Sequence, residues 1–120
     1  MSSKTAILTS KAPKPLPGIY SQAIVANGFV YCSGAIAMDT TGKIIDGDIQ
    51  AHTHQCIKNL TAVLKEAGTT IEKVIKVNVF LADMNDFAKM NEVYKTLGTG
   101  AMSSRVELVW LSRRYLWGLM

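Results

Sequence analysis

The residues of this chain that can do chemistry are few, and none falls into a familiar catalytic spacing. His52 and His54 stand two apart in "AHTHQC". On a helix such positions point to different sides, so the pair cannot share one metal ion, and both read as surface histidines. No HExxH, GxSxG, GxGxxG or phosphate-loop pattern occurs, which removes the commonest zinc, hydrolase and nucleotide chemistries. Cys32 and Cys56 lack a CxxC spacing and read as reduced, buried thiols in a reducing compartment. What remains is a set of small polar features at junctions. "CSGA" puts Ser33-Gly34 inside an otherwise apolar run, where a glycine weakens a strand unless a backbone or ligand must come close. A bulge or a strand crossing accounts for it equally well. Tyr20 and Asn91 are polar groups on elements expected to face the core, where each has the plainer role of a satisfied structural hydrogen bonder.

These residues are positioned by elements whose periods are legible. "IYSQAIVANGFVYCSGAIAMD" carries two β-rich runs around Asn27-Gly28, a pair suited to a type I′ hairpin turn. "DTTGKIIDGD" supplies a second turn and a short strand or extended segment. In "DIQAHTHQCIKNLTAVLKEAG" the apolar residues Ile49, Cys56, Ile57, Leu60, Val63, Leu64 and Ala67 fall at helical spacing, with Asp48 as N-cap and Gly68 as stop. "KVIKVNVFLADM" alternates Ile75, Val77, Val79 and Leu81 against Val74, Lys76, Asn78 and Phe80, as a strand does. "NDFAKMNEVYKTL" is a second helix, capped by Asn85 and apolar at Phe87, Met90, Tyr94 and Leu97. The order predicts an α+β domain with helices on one face of a sheet.

A chain of 120 residues is one domain, 1–120, and 48% apolar with 18% charged residues is an ordinary globular composition. The net charge of +4 is too scattered to argue for nucleic acid. No apolar run reaches membrane-spanning length. The opening "MSSKTAILTSKAPKPLPG" has no hydrophobic signal core. It is acid-free but lacks arginine and an amphipathic pattern, so the expected compartment is the cytoplasm, with the mitochondrion as the alternative.

Taken together, "PGIYSQAI", "VYCSGAIAMD", "CIKNLTAVLKEAG" and "VIKVNVFLADMNDFAKMNEVYKT" resemble the RidA family (also called YjgF or UK114), close to its fungal members. The likeness runs from about Ala12 to Thr96. It implies a chorismate-mutase-like α+β fold, a mixed sheet with two helices on one face, and a homotrimer with sites in the clefts between subunits. It also implies cofactor-free, metal-free hydrolysis of 2-aminoacrylate, 2-iminobutanoate and similar enamine or imine acids to 2-keto acids and ammonia. Tyr20, Ser33, Gly34 and Asn91 match the family's substrate-binding positions. A carboxylated imine needs its acid held by a charge-assisted pair and a water placed on C=N away from bulk solvent. A mid-strand glycine lets the backbone approach the ligand, and Ser33 offers a donor. The alternative is a non-catalytic, trimeric ligand-binding or regulatory member. Ribonuclease activity, also reported of the family, finds no basic-aromatic surface in residues 1–96.

The ending departs from that resemblance. All three arginines (Arg105, Arg113 and Arg114) and both tryptophans (Trp110 and Trp117) fall in the last stretch, "SRVELVWLSRRYLWGLM". The family continues with a Pro-x-Arg-(Ser/Thr)-Cys-Val strand, a Leu-Pro-Leu-Gly turn and a last strand of the type Val-Glu-Ile-Glu. Its Arg grips the substrate carboxylate, and a Glu on the last strand helps place the attacking water. Here Arg105 stands at nearly the right distance to be that catalytic arginine, but without the motif around it. Codons can be chosen for residues 96–120 so that the same bases, read two positions later, spell Pro-Ser-Arg-Ala-Cys-Val and then Leu-Ser-Leu-Gly. The segment 97–120 therefore reads as the family's ending in a shifted frame, with Arg105 a neighbour of the true arginine by accident. Read literally, "RVELVWL" alternates as a strand.

Overall fold

The computed structural model describes residues 3–97 and 106–110. Asn27 and Gly28 both take positive φ, 52° and 79°, as a type I′ turn requires. They join β2 (Ala23–Ala26) to β3 (Phe29–Cys32) in a tight antiparallel hairpin, and β1 (Lys4–Ile7) adds to the other edge of β2. Along these strands Ala23, Val30 and Cys32 turn inward to a small core with Val63 of the first helix. Phe29 and Tyr31 take the opposite phase and stand outside, about half exposed, with their rings 6.4 Å apart.

Helix α1 (Ile49–Glu66) starts where the sequence predicts. The Asp48 carboxylate accepts from the Ala51 N–H at 3.0 Å, and the helix closes at Ala67 before Gly68, whose φ of 87° suits a stop. Its buried stripe serves two sheets at once. Val63 packs under the hairpin, while Cys56 and Ile57 meet β4 (Val77–Leu81) and α2 (Phe87–Tyr94). Val77, Val79 and Leu81 are all buried, so β4 keeps the alternation read from the sequence. Strand β5 (Val106–Trp110) pairs with β4 in parallel, from Val77↔Val106 to Leu81↔Trp110. The literal tail thus supplies the strand that its alternation predicts.

Four expectations are corrected. The strand begins at Val77 rather than Val74, because a 3-10 turn at Ile71–Lys73 ends on Val74, whose N–H reaches the Ile71 carbonyl at 3.3 Å. Val74 still packs on the core, but Ile75 is left 70% exposed. Asn85 does not cap the second helix. Asp83 accepts from the Asn85 N–H at 2.9 Å and opens a 3-10 turn, Met84–Asp86, that leads into α2. The strand or extended segment expected after Asp39 reduces to one bridge, Met38 with Ile44. Finally, the mixed sheet is two sheets, antiparallel β1-β2-β3 and parallel β4-β5. Among the described residues no strand lies between β3 and β4, and α1 crosses beneath both. The α+β class and the two helices stand.

Candidate functional site

Ser33 and Gly34 do not lie in mid-strand, because β3 ends at Cys32 and they follow it. Ser33 instead ties this exit to the segment entering β2. Its N–H donates to the Gln22 carbonyl at 3.0 Å, and its hydroxyl donates to the Ser21 carbonyl at 2.5 Å. A carbonyl can only accept, so the hydroxyl proton is committed. The expectation that Ser33 offers a donor is therefore corrected: outward it presents lone pairs, able to accept from water or from an imine N–H. Gly34, next in the chain, is exposed.

The strand entering this corner is held by a residue the sequence reading passed over. Gln22 is 6% exposed. Its amide oxygen accepts from the Thr9 N–H at 2.7 Å, and its amide nitrogen donates to the Thr9 and Pro13 carbonyls, each at 3.0 Å. A buried amide with three such bonds fixes the loop at residues 9–13 against the start of β2. Tyr20 lies two residues before it, in a turn whose N–H groups at Ile19 and Tyr20 reach back to the Leu16 carbonyl at 3.1 and 3.4 Å. Tyr20 is 48% exposed rather than core-facing, beside the exposed Leu16 and Ile19, and its phenol makes no hydrogen bond among the described residues.

Beyond Gly34 the chain is pinned to α1. Cys56 Sγ contacts the Ala35 carbonyl at 3.6 Å, and the buried Asn59 donates to the carbonyls of Ile36 and Met38 at 3.2 and 2.8 Å. Asn59 was visible as a polar residue beside the apolar stripe, and Gln22 as one between Ser21 and Ala23. Neither stood out, because the partners of each lie far along the chain.

The site residues are thus divided. Tyr20, Ser33 and Gly34 share one corner. Asn91 lies on α2, exposed rather than core-facing because Met90, Val93 and Tyr94 occupy the buried stripe. No hydrogen bond joins it to Ser33 among the described residues. Arg105 lies outside the described residues. His52 Nε2 is 3.0 Å from the Ile45 carbonyl while His54 is exposed, so the two histidines diverge. Among the described residues no group of three His, Cys, Asp or Glu can hold a metal ion. Neither Cys32 nor Cys56 forms a disulfide among the described residues, and burial pushes the Cys32 thiol up.

A groove of about 750 Å3 adjoins this corner, between β3 and β4 over α1. Val30, Cys32, Ile57, Leu60 and Val77 line it, together with Tyr94, whose phenol is pushed up by burial.

The hairpin and the two helices are those of one family. The chain belongs to the family described as Endoribonuclease L-PSP, which is the RidA/YjgF family, and the match covers residues 9–115. It is 52% identical over 92 residues to a RutC family protein of Pyrococcus abyssi, covering 76% of this chain and 72% of that one. It is 51% identical to the Schizosaccharomyces pombe "Protein mmf1, mitochondrial", covering 78% of this chain and 56% of that one. It is 43% identical to the rat 2-iminobutanoate/2-iminopropanoate deaminase, covering 82% and 72%. Among solved structures, a Rid-family protein of Yersinia pestis, YyfA, matches with a TM-score of 0.90 at 35% identity, covering 98% of this chain and 95% of that one. TdcF of Escherichia coli with bound serine matches with a TM-score of 0.83 at 31% identity, covering 96% and 92%. Among the described residues no helix is long and apolar enough to cross a membrane.

Proposed function

We propose that this chain carries the scaffold of a hydrolytic deaminase of 2-enamine and 2-imine acids, 2-aminoacrylate and 2-iminobutanoate among them. Water adds its oxygen to the C=N carbon, the C–N bond breaks, and the products are a 2-keto acid and ammonia. The observation that carries this reading is the Tyr20–Ser33 corner in a chain 43% identical to a protein named as such a deaminase. Ser33, with its proton on the Ser21 carbonyl, accepts from the attacking water or the substrate N–H. Tyr20 presents a phenol with no hydrogen-bond partner among the described residues, and exposed Gly34 leaves room for substrate beside the backbone. No cofactor enters this reaction.

The site is completed between subunits of a homotrimer. Support comes from the exposed apolar residues on the sheet face away from the helices, Phe29 and Tyr31, and from the lip at Ile19 and Tyr20, all costly to leave in water. Asn91, which makes no hydrogen bond to the corner among the described residues, is supplied from a neighbouring subunit. The arginine that grips the carboxylate is the family's, displaced here by the shifted ending, with Arg105 as its nearest stand-in. The second reading, a trimeric ligand-binding member without turnover, is favoured by that ending, which carries no Arg-x-Cys-Val motif. We assign the protein to the cytoplasm. The fission-yeast relative is named mitochondrial, and cell fractionation decides between the two.

The test is a coupled assay that generates 2-iminobutanoate and follows its loss. Hydrolysis faster than in buffer supports the deaminase. Saturable binding of a 2-keto acid with no acceleration supports the second reading.

A further inference from the structure

We propose that Asn27 is a site of spontaneous covalent modification, where the chain's own Gly28 nitrogen converts asparagine to aspartate and isoaspartate at the tip of the hairpin. The step balances with water alone. The Gly28 nitrogen bonds the Asn27 Cγ and gives up its proton, the Cγ–Nδ2 bond breaks, and ammonia leaves. Water then opens the cyclic imide at one carbonyl or the other, so one water is consumed for each ammonia released.

Three features single out this residue. Asn27 and Gly28 are both exposed, so water reaches the imide. Neither the Asn27 side chain nor the Gly28 N–H is hydrogen-bonded among the described residues, which leaves both reacting groups unoccupied. Gly28 carries no side chain, and nothing lies within 4 Å of where its Cβ would stand. The other four asparagines, Asn59, Asn78, Asn85 and Asn91, precede Leu60, Val79, Asp86 and Glu92, whose side chains crowd the attacking nitrogen. Asn59 is also buried, with its Nδ2 donating to the Ile36 and Met38 carbonyls.

The fold sets both the rate and the consequence. The turn holds Asn27 in the left-handed region at φ 52°, and ring closure rotates its ψ out of that conformation. The tip must therefore open first, and the folded chain reacts more slowly than the unfolded one. Aspartate at this position suits the same turn, because Asp-Gly is also a favoured type I′ pair. Isoaspartate does not. It carries the main chain through its side-chain carbon and adds a backbone atom to a two-residue turn, so the Ala26↔Phe29 pair is lost.

The test holds the full chain at neutral pH, below its melting temperature, for several weeks and maps it with trypsin. The fragment 12–43 contains Asn27 and no other asparagine. It should gain one mass unit before the other asparagines change, with isoaspartate located at this residue by electron-transfer fragmentation. The gain should be faster in urea and at raised pH. Asn27→Gly keeps a residue suited to positive φ and removes the amide, so its fragment should gain nothing. The modified fraction, separated by its added negative charge, should melt at least about 3 °C below the fresh chain. An unchanged fragment 12–43 overturns the proposal, and so does change at another asparagine at the same pace. Equal rates with and without urea overturn it too, since the turn would then hold nothing. So does a modified fraction that melts as the fresh chain does, because the turn would then tolerate the added atom.

Discussion

The Ser33 hydroxyl donates to the Ser21 carbonyl at 2.5 Å, and this one bond fixes both the shape of the corner and the sense of its chemistry. Ser33→Ala leaves that carbonyl without its donor, at about 1 kcal/mol of stability, and removes the acceptor offered to water. Imine hydrolysis should fall by about 10- to 100-fold, with Ser33→Thr restoring most of it. Gly34→Val, at an exposed position, should abolish hydrolysis while the fold survives. Unchanged turnover in either variant, in a coupled assay, contradicts the placement of substrate here.

Gln22 is the positioning residue of the site. Gln22→Leu keeps much of the volume but strands the Thr9 N–H and the carbonyls of Thr9 and Pro13. A loss of about 2–4 kcal/mol in urea unfolding is expected. A loss below about 0.5 kcal/mol, the range of an ordinary surface change, contradicts the clamp.

Much of this arrangement was legible in the sequence. Asn27-Gly28 announced the hairpin because only residues tolerant of positive φ fill a type I′ turn, and Asp48 and Gly68 bounded α1 by local chemistry. The failures are non-local. Ser33 looked like a donor because its partner lies 12 residues away, and Gly34 looked mid-strand because an apolar run gives no sign of where pairing stops. Tyr20 and Asn91 looked core-facing because a turn and a short helical stripe set their direction. The split of the sheet reflects that no strand among the described residues lies between β3 and β4, and periodicity does not encode which strands pair.

Asp48 gives a pH dependence of known sign. The Ala51 N–H, hydrogen-bonded to its carboxylate, holds Asp48 below its ordinary value of 3.8. A depressed carboxylate stabilises the fold fully above the unfolded value, and that contribution is lost as pH falls through the lower folded value. The difference in urea midpoint between the parent and Asp48→Ala should therefore be constant near neutrality and narrow below about pH 3.8. A difference that widens on acidification contradicts the cap.

Assembly is testable through the outer face of the hairpin. Phe29 and Tyr31 are 51% and 60% exposed in the single chain. If they lie between subunits, sedimentation should give a trimer for the parent and a smaller species for the double change Phe29→Glu, Tyr31→Glu. A stable, soluble monomer of the parent at micromolar concentration contradicts the trimer.

The central claim is that the deaminase scaffold spans residues 12–96 and that 97–120 is the family's ending in a shifted frame. The most direct measurement is 2-iminobutanoate hydrolysis by two chains, one as it stands and one with the ending read in the restored frame. The restored chain should form an active trimer with the higher melting temperature, and the literal chain should stay near the buffer rate. A restored chain no faster than buffer contradicts the assigned activity, and a literal chain equally stable and equally fast contradicts the shifted frame.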